Sequence, residues 1–160
     1  MAGGRGPSDR LSPQYRSLRR QSTTTAGSLT SEALVELAAR TIVARKGLEP
    51  VILEVKGLCG FADYFIICSG TSRRHVLSLA QYVEEALAAA GVKPLGVEGL
   101  QEGNWVLLDY NDVVVHIFIQ ALRDFYDLEG LWAEAPRLTP EPASPDPRRR
   151  ESPIGSDAGP

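Results

Sequence analysis

The chain has 160 residues, 43% hydrophobic and 23% charged, which suits one packed domain and is short for two. Its charge is uneven: residues 1–28 carry five Arg against one acid, residues 136–160 four Arg against four acids, and residues 29–135 eight basic against fifteen acidic residues. A middle segment that acidic repels a phosphate backbone, so it argues against a specific nucleic-acid binder and favours encounter with a basic protein surface.

Residues 1–28 are rich in Gly, Ser, Thr, Arg and Pro and are expected to be a disordered extension, because they cannot bury enough surface to offset chain entropy. An Arg-rich, acid-poor leader also fits an organelle transit peptide. The untargeted extension is the reading adopted, with the cytoplasm of a bacterium as the expected location. In the next segment Leu34, Leu37, Ala38, Thr41 and Ile42 recur at helical spacing, with Thr30 or Ser31 as N-cap and Gly47 as the stop. Residues Val51–Val55 read as a strand, and Phe61–Cys68 as a second, more buried one. Gly70-Thr71-Ser72 opens a long helix with Val76, Leu79, Ala80, Val83 and Leu87 at core positions and Gly91 at its end. A short strand is expected near Pro94–Val97. Trp105–Tyr110 and Val113–Ile119 form a hairpin turning at Asn111-Asp112. A last helix carries Leu122, Phe125 and Leu128 and extends to Trp132, and the Pro-rich remainder with its Arg148–Arg150 run reads as a solvated tail. The expected boundaries are 1–28 for the extension, 29–136 for an α/β domain whose mixed sheet is covered by helices, and 137–160 for the tail. No apolar run approaches the roughly 20 residues that span a bilayer, so no membrane partner is expected.

The chemistry-bearing residues are few. Cys59 and Cys68 stand nine positions apart without a C-x-x-C pattern and read as reduced, structural thiols. His75 and His116 each lack a second ligand at helical or strand spacing and read as structural histidines, so no metal and no cofactor are expected. The G-x-S-x-G elbow of a serine nucleophile is missing. Ser69 to Arg74 does place a glycine turn, hydroxyls and two arginines at a helix N-terminus, which makes Thr71, Ser72, Arg73 and His75 a candidate anion site. A nucleotidyltransferase would also need two carboxylates for magnesium on a nearby strand. No D-x-D or D-x-E follows on the next strands, and Asp109 and Asp112 are separated by a turn. A nucleotide-binding or nucleotidyl-transferring enzyme using the Gly70–Arg74 turn is therefore the alternative and not the main reading.

The segment Glu98–Val115 is the most informative. Alternation puts Trp105, Leu107 and Asp109 on one face of the sheet and Val106, Leu108 and Tyr110 on the other. Two readings are open: a strand pair buried on both faces, or an aromatic and aliphatic patch rimmed by Glu98, Asp109 and Asp112 that binds a protein.

The run Ala62-Asp63-Tyr64-Phe65-Ile66-Ile67-Cys68-Ser69-Gly70-Thr71-Ser72-Arg73-Arg74-His75-Val76 resembles the D-Y-F-x-I-x-x-G-x-S-x-R-H-V signature of the ribosomal silencing factor (RsfS/Iojap) family. Gly96–Gly99, Trp105–Tyr110, Asp112–Phe118 and Arg123–Trp132 resemble its remaining blocks in the same order, over about residues 30–135. The family often has Thr where this chain has Ala62. The resemblance implies a nucleotidyltransferase-like α/β fold without the catalytic carboxylates. It implies a non-enzymatic repressor of translation under starvation, which binds ribosomal protein number fourteen on the large subunit and keeps the small subunit from joining. Carried over by residue, the contact surface comprises Glu98, Trp105, Val106, Leu108, Asp109, Tyr110 and Asp112. A patch of this kind also allows a homodimer that hides it.

Overall fold

The computed structural model describes residues 29–140, and both the basic leader and the Arg148–Arg150 run lie outside the described residues. The elements run α1 (Ser31–Ala44), β1 (Leu48–Glu54), β2 (Tyr64–Gly70), α2 (Arg73–Ala89), β3 (Gly96–Glu98), β4 (Trp105–Asp109), β5 (Val113–Ile119), α3 (Gln120–Tyr126), α4 (Leu128–Leu131) and β6 (Arg137–Leu138). They form a mixed six-stranded sheet in the order β3-β4-β5-β2-β1-β6. β2 and β5 are parallel, and every other neighbouring pair is antiparallel. The α/β class expected from the sequence is the one observed.

The two long helices begin where side chains satisfy their free N–H groups. Thr30 accepts from the Ala33 N–H at 3.1 Å, and Ser72 accepts from the His75 N–H at 3.1 Å. The apolar stripes of α1 (Leu34, Val35, Ala38, Ala39, Ile42) and α2 (Val76, Leu79, Ala80, Val83, Leu87) lie on one sheet face. That face contributes Ile66 and Cys68 from β2, Val106 and Leu108 from β4, and Val113, Val115 and Ile117 from β5. The opposite face gathers Leu53, Phe65, Ile67, Leu107, Val114 and Phe118. Among the described residues no long helix covers it. Its cover is the β1–β2 connection (Val55, Cys59, Phe61, Ala62) and the C-terminal stretch (Tyr126, Leu128, Trp132, Ala135).

Four expectations need correction. The last helix is two helices, broken at Asp127, which adopts a left-handed conformation (φ 48°) and caps α4 by accepting the Gly130 N–H. Phe125, expected in the core, is 74% exposed, whereas Arg123 on the same helix is buried. Residues Arg137 and Leu138, assigned to the tail, form β6 and pair with Leu53 and Ile52. The strands near residue 50 and residue 95 begin three residues earlier and two residues later than expected, with Glu49 at a left-handed φ of 46° beside an irregularity in β1.

Arg123 pins the C-terminal cover. Its guanidinium donates to Ser69 Oγ (3.0 Å), to the Leu48 carbonyl (3.2 Å) and, bidentately, to Glu129 (3.1 and 2.9 Å). Glu129 also receives Arg137 at 3.0 Å. The hydrogen bond from Arg123, with the charges of Arg123 and Arg137, holds the Glu129 carboxyl below its ordinary range against the opposing effect of partial burial. Burial pushes the Cys68 thiol up to about 12, so it behaves as a core hydrophobe. Truncating a buried cation strands its carboxylate partner. Arg123→Met is expected to cost roughly 2–4 kcal/mol, read as a fall in the urea midpoint at unchanged slope.

Candidate functional site

The candidate contact residues divide between the two faces of β4. Its period-two alternation sends Val106 and Leu108, continued by Tyr110 beyond the strand, under α1 and α2, where all three are fully buried. Tyr110 ends beside Glu84, and burial, aided by that carboxylate, pushes its hydroxyl far above the usual range. Asp109 lies on the opposite face, is fully buried, and accepts the Asn111 N–H at 2.8 Å to shape the hairpin turn. Asn111 takes φ 76°, which Asn tolerates better than most residues. These four side chains, expected at the contact surface, are core or turn residues in this conformation. Buried-strand alternation won over the patch reading because α1 and α2 bring enough apolar surface to cover their face entirely.

Asp112 accepts Ser31 Oγ at 3.2 Å and so ties the turn to the start of α1. It sits at the far end of the hairpin from Trp105, about 13 Å along β4, so the two do not share a patch. Glu98 pairs across the strands with Leu107, which puts it on the Trp105 face, diagonal to the indole.

Trp105 is half-buried and sits where the cover of its face ends. Its ring stacks on Phe118 (centroids 4.9 Å apart, 30°) and leans on Tyr126 (4.7 Å, 47°), whose own ring meets exposed Phe125 edge-on at 5.2 Å. The indole N–H donates to Nδ1 of His116 at 3.1 Å. An indole nitrogen can only donate, so Nδ1 must be the bare nitrogen and the imidazole is neutral, with its proton on Nε2. His116 is buried, with Phe65 edge-on at 4.9 Å, and burial lowers its pKa to about 3. Gly99 closes the edge beside it. At φ +89° its backbone passes so near the Trp105 carbonyl that any Cβ would overlap the oxygen.

Trp105, Tyr126 and Phe125 therefore form one continuous aromatic edge, flanked by Glu98. Sequence reasoning had Trp105 and Glu98 but missed Tyr126 and Phe125. It carried one helical stripe straight through Asp127, although Asp is a preferred N-cap and already marked a new helix start there.

The helix start proposed for anions has its groups engaged within the protein. The Thr71 N–H donates to Nδ1 of His75 at 2.9 Å, and Nε2 of His75 faces the Arg45 carbonyl at 3.2 Å. Ser72 is the N-cap, and Nε of Arg73 donates to Asn104 Oδ1 at 3.2 Å. His75 thus stitches the end of α1 to the start of α2.

Two outcomes follow. Tyr110→Ala is expected to cost about 3–5 kcal/mol of stability, with Trp105→Ala costing clearly less; comparable losses in urea titrations would contradict the placement. His116 is neutral in the fold, whereas in the unfolded chain it binds a proton below about pH 6.5. The unfolded state then holds more protons, so stability falls with acidification from about pH 6.5 toward the folded value, on the order of 1 kcal/mol per pH unit at most. Urea midpoints between pH 7.5 and 5 should show this slope, and His116→Asn should flatten it.

The family described as "Ribosomal silencing factor during starvation" matches residues 28–158. A protein of Halalkalibacterium halodurans named ribosomal silencing factor RsfS is 34% identical over 110 residues, covering 69% of this chain and 94% of its own. A mouse protein named mitochondrial assembly of ribosomal large subunit protein 1 is 30% identical over 84 residues, covering 51% of this chain and 37% of its own. A crystal structure of a Chromobacterium violaceum protein superposes with a TM-score of 0.64 at 35% identity, over 73% of this chain and 95% of that one. With the family match over most of the chain, these relatives and the superposed structure in agreement, this chain belongs to the ribosomal silencing factor (RsfS/Iojap) family.

Proposed function

We propose that this protein is a non-catalytic translational repressor that docks on the large ribosomal subunit at ribosomal protein number fourteen and sterically blocks joining of the small subunit. The observation that carries the reading is the aromatic edge. Trp and Tyr are the side chains that most often anchor protein interfaces, and here Trp105 and Tyr126 stand half-buried beside a fully presented Phe125 on a strongly acidic domain. Acidity speeds encounter with a basic ribosomal protein more than it deepens affinity. The mouse relative's name, with its large-subunit assembly, supports that subunit as the partner. A contact of ordinary size buries about 1,600 Å² in total, of which the edge is the anchoring part.

The mechanism is occupancy. A domain seated on the joining face competes with the small subunit by mass action, and the block grows with its concentration over its dissociation constant. It acts where ribosomes work, in the cytoplasm. In the absence of ribosomes the same edge pairs two copies of the chain.

Sedimentation of purified subunits with and without the protein tests the reading. Joined ribosomes should fall as protein is added. Trp105→Ala with Phe125→Ala should restore joining while leaving the circular dichroism spectrum unchanged. Undiminished joining at saturating wild-type protein would refute the proposal.

A further inference from the structure

We propose that His116 is the positioning residue of the docking edge: its Nδ1 holds the Trp105 indole in its docking orientation without itself reaching the partner. The inference rests on the docking reading above and deepens it. His116 is 1% exposed, so it cannot be a contact residue. It lies mid-strand in β5, opposite Leu107 and diagonal to Trp105 on the same face, within reach of a long side chain. Trp105 Nε1 donates to it at 3.1 Å. The imidazole is itself held by Phe65 edge-on at 4.9 Å, and Phe118 stacks on the indole at 4.9 Å.

The arrangement is poor as pure core packing. Among the described residues, Nε2 of His116 is buried with no hydrogen-bond partner. Desolvating a donor without return is unfavourable, and an aliphatic residue in the same slot would avoid it. What the imidazole supplies that an aliphatic residue cannot is an acceptor for the indole. Two consequences follow for docking. An anchor ring already fixed in one orientation loses little freedom when a partner covers it, so affinity rises without a new contact. And because the indole N–H is engaged, the exposed part of Trp105 presents only carbon, so the partner's complement is an apolar surface or the stem of a basic side chain and not a hydrogen-bond acceptor.

The test uses the full chain with Trp132→Phe as background, so that Trp105 is the sole indole. His116→Leu removes the acceptor. His116→Asn keeps an oxygen near the position of Nδ1. Three quantities are read: the urea midpoint, hydrogen exchange of the indole N–H by NMR, and affinity for purified large subunits. His116→Leu is expected to stay folded at neutral pH, to lose indole protection and to bind roughly three- to tenfold more weakly. His116→Asn should recover both protection and binding. A folded His116→Leu that binds like its parent overturns the proposal, as does an Asn variant that regains protection but not affinity. Should His116→Leu not fold, His116→Phe, which fills the slot with a ring and no acceptor, carries the same comparison. If the parent protein itself fails to bind large subunits, the docking reading fails and takes this proposal with it; a parent that binds isolates the role of His116.

Discussion

A sheet whose central strands are buried at almost every position must be covered on both faces. β2 is buried at all seven of its residues and β5 at six of seven, so neither strand has a side that water can reach. The protein meets this requirement asymmetrically. One face lies under two capped helices of 14 and 17 residues. The other lies under irregular chain and two short helices, and that cover keeps its place because a buried guanidinium is hydrogen-bonded to both ends of the structure it joins. The Arg123–Glu129 pair is tolerable inside because four of the five guanidinium N–H donors meet an oxygen and the cation is neutralised where it sits. Without that pin the second face would be a hydrophobic surface protected only by loosely attached chain.

The position of the aromatic edge follows from the same asymmetry. The C-terminal cover extends across Phe65 and Phe118 and thins out at Tyr126. β3, three residues long, pairs with β4 only from Leu107 onward. Trp105 stands where both kinds of protection end: no helix seals it, and it is paired with Phe118 of β5 on one side but not with β3 on the other. Gly99 lets the chain pass so close that no other residue could replace it without moving the Trp105 backbone. The edge is therefore produced by the way the fold stops covering itself, and a mutation that lengthened β3 or the C-terminal cover would remove it without touching an aromatic residue.

Much of this was legible in the residues. The 3.6-residue spacing of Leu34 to Ile42 and Val76 to Leu87, and the Asn111-Asp112 turn between two aliphatic runs, specified helices and hairpin because local propensity and tertiary burial agree there. The contact surface was legible only in part. Alternation along β4 correctly assigned Trp105 and Tyr110 to opposite faces, yet alternation carries no information on which face is later covered, or how far. That depends on where α1, α2 and the C-terminal chain pack, which is a long-range matter. Tyr110 and Trp105 look equivalent as aromatic neighbours in sequence; a helix pair makes one a core residue and its absence leaves the other at the margin. Phe125 was misplaced for a local reason: Asp127 turns left-handed and breaks the helix, so Leu128 does not continue the stripe of α3, in which Arg123 is buried and Phe125 exposed.

The steric repression proposed above needs a surface that recognises its partner, and it does not need one that moves. That requirement gives the polar atoms inside the second core a rationale that stability alone does not. Hydrophobic packing of Phe65, Phe118 and Trp132 would hold the face together, but apolar contacts are non-directional and fix the tilt of a neighbouring ring only loosely. A hydrogen bond has direction, and one made in a dry interior has no water competing for it. Placing a neutral imidazole behind the indole trades some core stability for a fixed orientation at the one place where the core becomes surface. On the proposed docking, the exposed residues identify the partner, whereas the buried histidine sets how well prepared they are to meet it.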